Sequence, residues 1–213
     1  MLCMLNAGCL LCGYNIDSIA MEPDQVYESC QRISPIPAQD WDAFQGLMEP
    51  LSLKRNEYLV SEGSRVKYAY LLLEGVIRVF YNKEGNEYNK TFFIPGMFPT
   101  PLTALLTGTP SALSYQALLP CELIRFPFQD FRNLFQEHRS LETFLLRVLE
   151  QEWIAKERHD IQMVTNDATE NYMVFRKEYP DLENQIHLYH IASYLGITPI
   201  QLSRIRAQAV QAI

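Results

Sequence analysis

Residues 192–206 read ASYLGITPIQLSRIR, from Ala192 to Arg206. Two short helical patterns meet there around one glycine. Thr198 is a good N-cap, and Pro199 falls at the first helical position, where a missing N–H costs nothing. Gln201 stands three residues after Thr198, the spacing of a capping box, and Ile197 can pack on Leu202 as a hydrophobic staple. Gly196 supplies the left-handed residue that closes the preceding helix. The stretch therefore predicts a helix-turn-helix whose second helix starts at a well-defined point.

The faces of that second helix differ. At about 100° per residue, Leu202, Ile205 and Ala209 fall on one side and point inward. Ile200, Ser203, Arg204 and Ala207 fall on the other, with Gln201 and Gln208 along one edge and Arg206 along the opposite one. Arginine can take guanine bidentately, glutamine can take adenine, and Ile200 can meet a thymine methyl. The Thr198 hydroxyl and the helix N-terminus suit a phosphate, and Arg206 at its edge suits another. The plainer alternative is a solvated helical hairpin that caps a domain and carries two incidental arginines.

Working outward, the residues before this pair change texture twice. From about Leu51 to Phe128 the chain alternates as half-buried strands do, in Ala69–Leu73 and in Val76, Arg78 and Phe80. Glycines at 63, 75, 85 and 96 lie 12, 10 and 11 residues apart, a turn interval typical of an antiparallel sandwich or roll. The clearest hairpin runs from Val76 to Phe93, with residues 82–86 (NKEGN) as its turn. Then strands stop. Residues 130–164 contain neither Gly nor Pro, and Leu141, Phe144, Leu145, Val148 and Leu149 recur at helical spacing. One long amphipathic helix is expected over about 134–160. A further helix, about 168–177, must stop before Pro180. The fold class is thus α+β: antiparallel β-roll, long helix, small helical domain. The corresponding boundaries are 1–20 for an arm outside the fold, 21–131 for the roll with its leading helix, 132–161 for the long helix and 162–213 for the helix-turn-helix domain.

Bulk properties narrow the function. A chain of 213 residues, 48% hydrophobic and 20% charged, has ordinary globular composition. No apolar run is long enough for a membrane helix, and the apolar start MLCMLNAGCLLCGYN lacks the basic residues of a secretory signal. Met21 opens a more conventional sequence, so residues 1–20 are expected to lie apart from the domain. An odd five cysteines argue against a disulfide framework and for a reducing, cytoplasmic setting. The net charge of −7 argues against nucleic acid, but residues 187–213 hold two arginines and no acid. Any positive field is confined to the C-terminal end. No nucleophile triad, phosphate loop or zinc spacing is present, so the sequence points away from an enzyme and names no cofactor or metal. His190, beside the helical pair, is expected at phosphate or solvent, and Trp41 and Trp153 in packing.

The segment HIASYLGITPIQLSRIR resembles the helix-turn-helix of Crp/Fnr-type transcription regulators. The residues that carry the likeness are Ala192, Gly196, Ile191, Leu195, Leu202 and Ile205, and the order β-roll then long helix agrees over roughly residues 45–213. The resemblance implies a cyclic-nucleotide-binding-type roll, a long helix that dimerises, and a DNA-reading head. By position, Ile200 and Arg204 stand where the family places base-contacting side chains, although a polar residue is common at the first.

Members that bind a cyclic nucleotide carry a Gly-Glu pair for the ribose and, about ten residues later, an Arg for the phosphate. Here Thr100 and Pro101 stand in place of Gly-Glu, and Ser111 in place of Arg. No charged residue or histidine occurs between Thr91 and Cys121. A buried phosphate without a cation suffers heavy desolvation, and Pro99, Pro101 and Pro110 remove backbone donors. Cyclic AMP in the usual pose is not expected. Two readings stay open: an apolar effector contacted by Met97, Phe98, Leu102, Thr103, Leu105, Ser111 and Leu113, or a packed core that senses nothing. An iron–sulfur cluster on Cys3, Cys9 and Cys12 lacks its fourth ligand, because Ile124 occupies the matching position and Cys121, three residues earlier, should face the other way.

The sequence thus predicts a homodimeric, sequence-specific DNA-binding regulator. Thr198, Ile200, Gln201, Ser203, Arg204 and Arg206 would meet double-stranded DNA at a near-palindromic operator. Leu141, Phe144, Leu145 and Val148 would pair across the two-fold axis, or pack on their own roll. RNA polymerase would be a partner of an activator, and no membrane is involved. The rival is a sensor module that binds a small apolar metabolite or a partner protein and reads no DNA.

Overall fold

Glu84 and Gly85 both carry positive φ, 55° and 86°, as a two-residue type I′ hairpin turn requires. They join β4 (Ile77–Lys83) to β5 (Asn86–Phe93), with Lys83 opposite Asn86. The Asn82 side chain caps the turn by accepting from the Gly85 N–H. This expected hairpin is half of a four-stranded sheet in the computed structural model, which describes residues 23–211.

The four-stranded sheet runs β2-β6-β4-β5, with β2 at Tyr58–Val60 and β6 at Ser114–Ala117. A three-stranded sheet runs β1-β7-β3, with β1 at Glu49–Leu53, β3 at Tyr68–Glu74 and β7 at Cys121–Pro127. All the pairings are antiparallel. Tyr70, Leu72, Ile77, Val79, Tyr115 and Leu123 fill the space between the sheets. Successive side chains of a strand face opposite ways. Ala69, Leu71 and Phe126 therefore leave the sandwich and join a second core, against helices. That explains why Ala69–Leu73 is apolar without interruption: both of its faces are covered. Cys121 lies in the sandwich and Ile124 packs on the helical core, so the two do face opposite sides of β7. Gly75, at φ 91°, tolerates no side chain, since a Cβ there would stand 2.3 Å from the Pro120 carbonyl.

The second core is supplied by α1 (Pro23–Ile33), α2 (Ala38–Gln45), α3 (Leu102–Thr107), α4 (Phe128–Asn133) and the start of the long helix α5 (Arg139–Thr165). Trp41 and Phe44 on α2 pack edge to face, and Phe44 does the same with Phe126. The long helix begins later than the sequence led us to expect. Residues 134–136 form a separate 3-10 turn. His138 and Ser140 then both bond the Asp40 carboxylate of α2, which fixes where α5 starts. Because histidine and serine share that one carboxylate, they form no nucleophile relay.

Of the two readings left open for the apolar stripe of α5, packing on its own chain is the one seen. Leu141 and Phe144 are 0% and 2% exposed in the core of their own chain, and Leu145 and Val148 pack against that core. None of the four leads an open face. On the opposite side α5 leaves Leu146, Trp153, Ile154, Ile161 and Val164 exposed. Trp153, expected in packing, is 66% exposed. No described helix is long and apolar enough to cross a membrane.

The C-terminal helices are α6 (Ala168–Glu178), α7 (Leu182–Gln185), α8 (Leu188–Tyr194) and α9 (Pro199–Gln211). Asp167 and Glu170 form a capping box at the start of α6. Tyr172, Phe175, Ile191, Leu195 and Leu202 form the core of this head, and Val76, Phe92 and Leu118 of the roll belong to the same cluster. The head is therefore docked on the sheet of its own chain.

Candidate functional site

The turn between α8 and α9 is built as the sequence predicts. The Ile197 N–H donates to the Ala192 carbonyl and the Gly196 N–H to that of Ser193, the two bonds of a Schellman closure, with Gly196 at φ 67°. At the start of α9 the Gln201 N–H donates to the Thr198 hydroxyl, and the Thr198 N–H donates to the Gln201 side chain. Leu202 is buried outright, Ile205 nearly so, and Ile197 packs on the same core.

On the outer face Ile200 is 67% exposed, and Ser203, Arg204, Ala207 and Gln208 are exposed with it. The Arg204 guanidinium has no hydrogen bond or ion pair to another described residue. The expected contact set is thereby divided. Ile200, Ser203 and Arg204 share one open surface, although the Ser203 hydroxyl donates to the Pro199 carbonyl within the helix. Thr198 and Gln201 are occupied with each other. Arg206 departs from expectation: its guanidinium turns sideways onto Glu183 of α7, Nε to Oε2 at 3.2 Å.

The seam between head and sheet is polar, and sequence reasoning missed it. Arg78 on β4, 4% exposed, lies at its centre. It donates to Gln116 on β6 through Nε and Nη2, at 2.9 and 2.6 Å, and pairs with Glu87 on β5 at 2.6 Å. Its Nη1 also lies 3.2 Å from Nδ1 of His190 on α8, and its guanidinium stacks on the Phe80 ring. Around it the Asn89 side chain donates to the His190 carbonyl, and the Asn89 N–H donates to the Ser193 hydroxyl. That hydroxyl in turn donates to the Glu87 carbonyl. Burial, then the Arg78 charge, push the His190 imidazole down to about 4. Burial works to raise the Glu87 carboxyl, but its bond to Arg78 and that charge together hold it below the ordinary value. His190, expected at phosphate or solvent, is thus a half-buried member of an internal seam. In β4 Arg78 stands on the face opposite to Ile77 and Val79, which fill the sandwich. Nothing local to the sequence says that a helix 110 residues later would cover it.

Between the roll, α5 and the head lies a cavity of about 1110 Å³. Met97, Phe98, Leu102, Thr103, Ser111 and Leu113 line its roll end, whereas Leu105 packs into the helical core. Two of the three residues that replace the phosphate cassette are occupied. Thr100 accepts from the Tyr70 N–H, and the buried Ser111 hydroxyl donates to the Leu113 carbonyl. Among the described residues no cation lines that end, and Arg65 beside it is turned onto the Gly108 carbonyl at 3.3 Å, so the lining residues offer a cyclic phosphate in the cassette pose no charged partner. Charge enters from elsewhere: Lys90 on β5, and Glu152, Lys156, Arg158 and Asp160 on α5. Tyr179 and Tyr194 of the head close the far wall, and Tyr194 stacks on His159 of α5 at 5.2 Å. The two described cysteines are inert. Burial pushes the Cys30 thiol up to about 12 and the Cys121 thiol up to about 11. Cys3, Cys9 and Cys12 lie outside the described residues.

Comparison with known proteins agrees with this architecture. Residues 50–138 match the family model of the cyclic nucleotide-binding domain. No curated protein matches the sequence. Among solved structures, FixK2 from Bradyrhizobium japonicum superposes with a TM-score of 0.65 at 17% identity, covering 78% of this chain and 86% of that one. A CooA mutant from Carboxydothermus hydrogenoformans gives 0.63 at 17% identity, over 79% of each chain. The c-di-GMP responsive global regulator CLP of Xanthomonas campestris gives 0.63 at 15% identity, over 83% and 92%. The expected α+β architecture and the likeness of the fold to Crp/Fnr-type regulators both stand.

Proposed function

We propose that this chain, which has the fold of Crp/Fnr-type regulators, is a sequence-specific DNA-binding transcription regulator acting as a cytoplasmic homodimer. The observation that carries the reading is the outer face of α9. Arg204, Ser203 and Ile200 stand in open solvent on a helix held from beneath by Leu202 and Ile205. A rigid helix with a free guanidinium flanked by a hydroxyl and an aliphatic group suits base edges in a major groove. Two such helices must reach successive grooves about 34 Å apart, so a near-palindromic operator and a dimer go together. The exposed side of α5, from Leu146 to Val164, is the surface that would pair across the two-fold axis.

The cavity is the proposed effector site. Its uncharged roll end favours an apolar compound over cyclic AMP in the usual pose. Because Tyr179 and Tyr194 share its lining with the roll, a bound effector would press on the head directly and bias its angle. RNA polymerase would be the further partner if the output is activation.

One observation supports the rival, a sensor or interaction module that reads no DNA: Arg206, one of two basic residues on α9, is paired inside the head. Binding to a labelled genomic pool, with affinity followed against salt, decides between them. A regulator enriches a discrete site and loses affinity with a log–log slope of about −0.9 per phosphate contact. A module of the rival kind enriches nothing.

A further inference from the structure

Three basic side chains and one acid of the head decide how strongly it feels a DNA backbone. We propose that Glu183 is an internal counter-anion that holds Arg206, and with it Arg176, off the phosphates, leaving Arg204 as the exposed cation of α9. This inference rests on the DNA-reading assignment and adds a specificity-determining residue that touches no base.

The geometry is a carboxylate with three donors. Glu183 on α7 has a side chain only 13% exposed. Its Oε2 accepts Arg206 Nε at 3.2 Å and the Tyr172 hydroxyl, and its Oε1 accepts Arg176 Nε at 3.4 Å. Tyr172 is itself buried in the head core and fixes the carboxylate's orientation. Arg206 sits on α9 between the buried Leu202–Ile205 side and the groove face, one-third exposed. From that edge an unpaired guanidinium would reach for a backbone oxygen, as phosphate-positioning arginines do.

Charge decides what the pairing does. Residues 167–211 hold four basic side chains (Arg176, Lys177, Arg204, Arg206) and five acidic ones (Asp167, Glu170, Glu178, Asp181, Glu183). Two of the four basic groups share one carboxylate. A guanidinium already neutralised in a half-buried setting releases no counterion when a phosphate approaches. To engage, the phosphate must displace Glu183 and leave that carboxylate desolvated beside it. The head therefore gains little from the backbone, which every sequence offers. It depends on Arg204, which meets base edges. General affinity is given up for discrimination.

The test uses the full chain, a random-sequence duplex and fluorescence anisotropy from 50 to 200 mM salt. Glu183→Gln keeps an acceptor for Tyr172 and removes the charge. The log–log slope should become more negative by about 0.9 for each arginine released, which makes the affinity loss over that salt range roughly 3.5-fold larger per arginine. Arg206→Ala should leave the parent's slope unchanged, and should cancel part of the gain in the Glu183→Gln background. An unchanged slope in Glu183→Gln overturns the proposal. So does a parent slope that falls by about 0.9 on Arg206→Ala alone, a surface change that tests the idea even if Glu183→Gln folds poorly. If neither parent nor Glu183→Gln binds any duplex at 50 mM salt, the DNA-reading assignment itself fails. Measurable binding with unaltered slopes discards only the role of Glu183.

Discussion

Arg78 on β4 and His190 on α8 approach to 3.2 Å through Nη1 and Nδ1, so one buried guanidinium joins the roll to the first helix of the helix-turn-helix. With an arginine on one side, the imidazole accepts only while neutral. Glu87, bonded to Arg78 and to the Tyr189 hydroxyl, balances the charge. His187 and Arg55 also lie nearby, with Arg55 Nη2 at 3.3 Å from the His187 Nε2.

That relationship sets a pH dependence. His190 titrates at about 4 in the docked head and near 6.5 in the unfolded chain. Between those values the unfolded state binds more protons, so stability rises with pH across the window. The contribution is whole above pH 6.5 and is lost as pH falls toward 4. Allowing for partial solvent screening, the loss should be on the order of 1–2 kcal/mol by pH 5. Denaturant unfolding at pH 7 and pH 5 checks it: His190→Gln should lose less stability on acidification than the parent. Equal losses would show that His190 is not the responsible group.

The long helix divides its apolar residues between two duties. Leu141 is fully buried in its own core, and Leu141→Ala should cost about 2–5 kcal/mol of stability. Trp153 and Ile161 stand on the open side. Trp153→Glu combined with Ile161→Glu should give a folded monomer by analytical ultracentrifugation. Because dimer stability depends on protomer concentration, the parent and this double variant are compared at one concentration. A dimer that survives both charges would place the two-fold interface elsewhere.

The cavity offers a third check. Cyclic AMP at millimolar concentration should leave the melting temperature unchanged, because no cation lines the roll end to meet its phosphate. An uncharged hydrophobic fluorophore should bind, and Leu113→Trp, which fills the lining, should abolish that binding. A ligand held at 100 times its dissociation constant stabilises by about 2.7 kcal/mol. A cyclic AMP shift of that size would refute the apolar assignment.

These results also show where reading from sequence stops. The start of α9 was legible because Thr198, Pro199, Gln201 and Gly196 act within one turn of their own backbone. The hairpin was legible for the same reason, through Glu84 and Gly85. The apolar stripe of α5 was legible as helical, but its allegiance was not. Leu141–Val148 and Leu146–Val164 are both amphipathic sets, and only the tertiary fold says which one the roll takes. Arg78 carried no local sign of its role either, since its partners lie on β5, β6 and a helix far along the chain. The pull of Glu183 on Arg206 belongs to the same class: two residues 23 positions apart, joined only once α7 and α9 have packed.

The central claim is that Arg204 reads bases from the outer face of α9. The most direct measurement takes an operator selected from genomic DNA and compares parent with Arg204→Ala on that site and on an unrelated duplex. The account predicts a loss of about 1–3 kcal/mol, roughly 5- to 150-fold, on the selected site. Little change is predicted on the unrelated duplex, and an unaltered melting temperature. Equal affinity of the two proteins for the selected operator would contradict it.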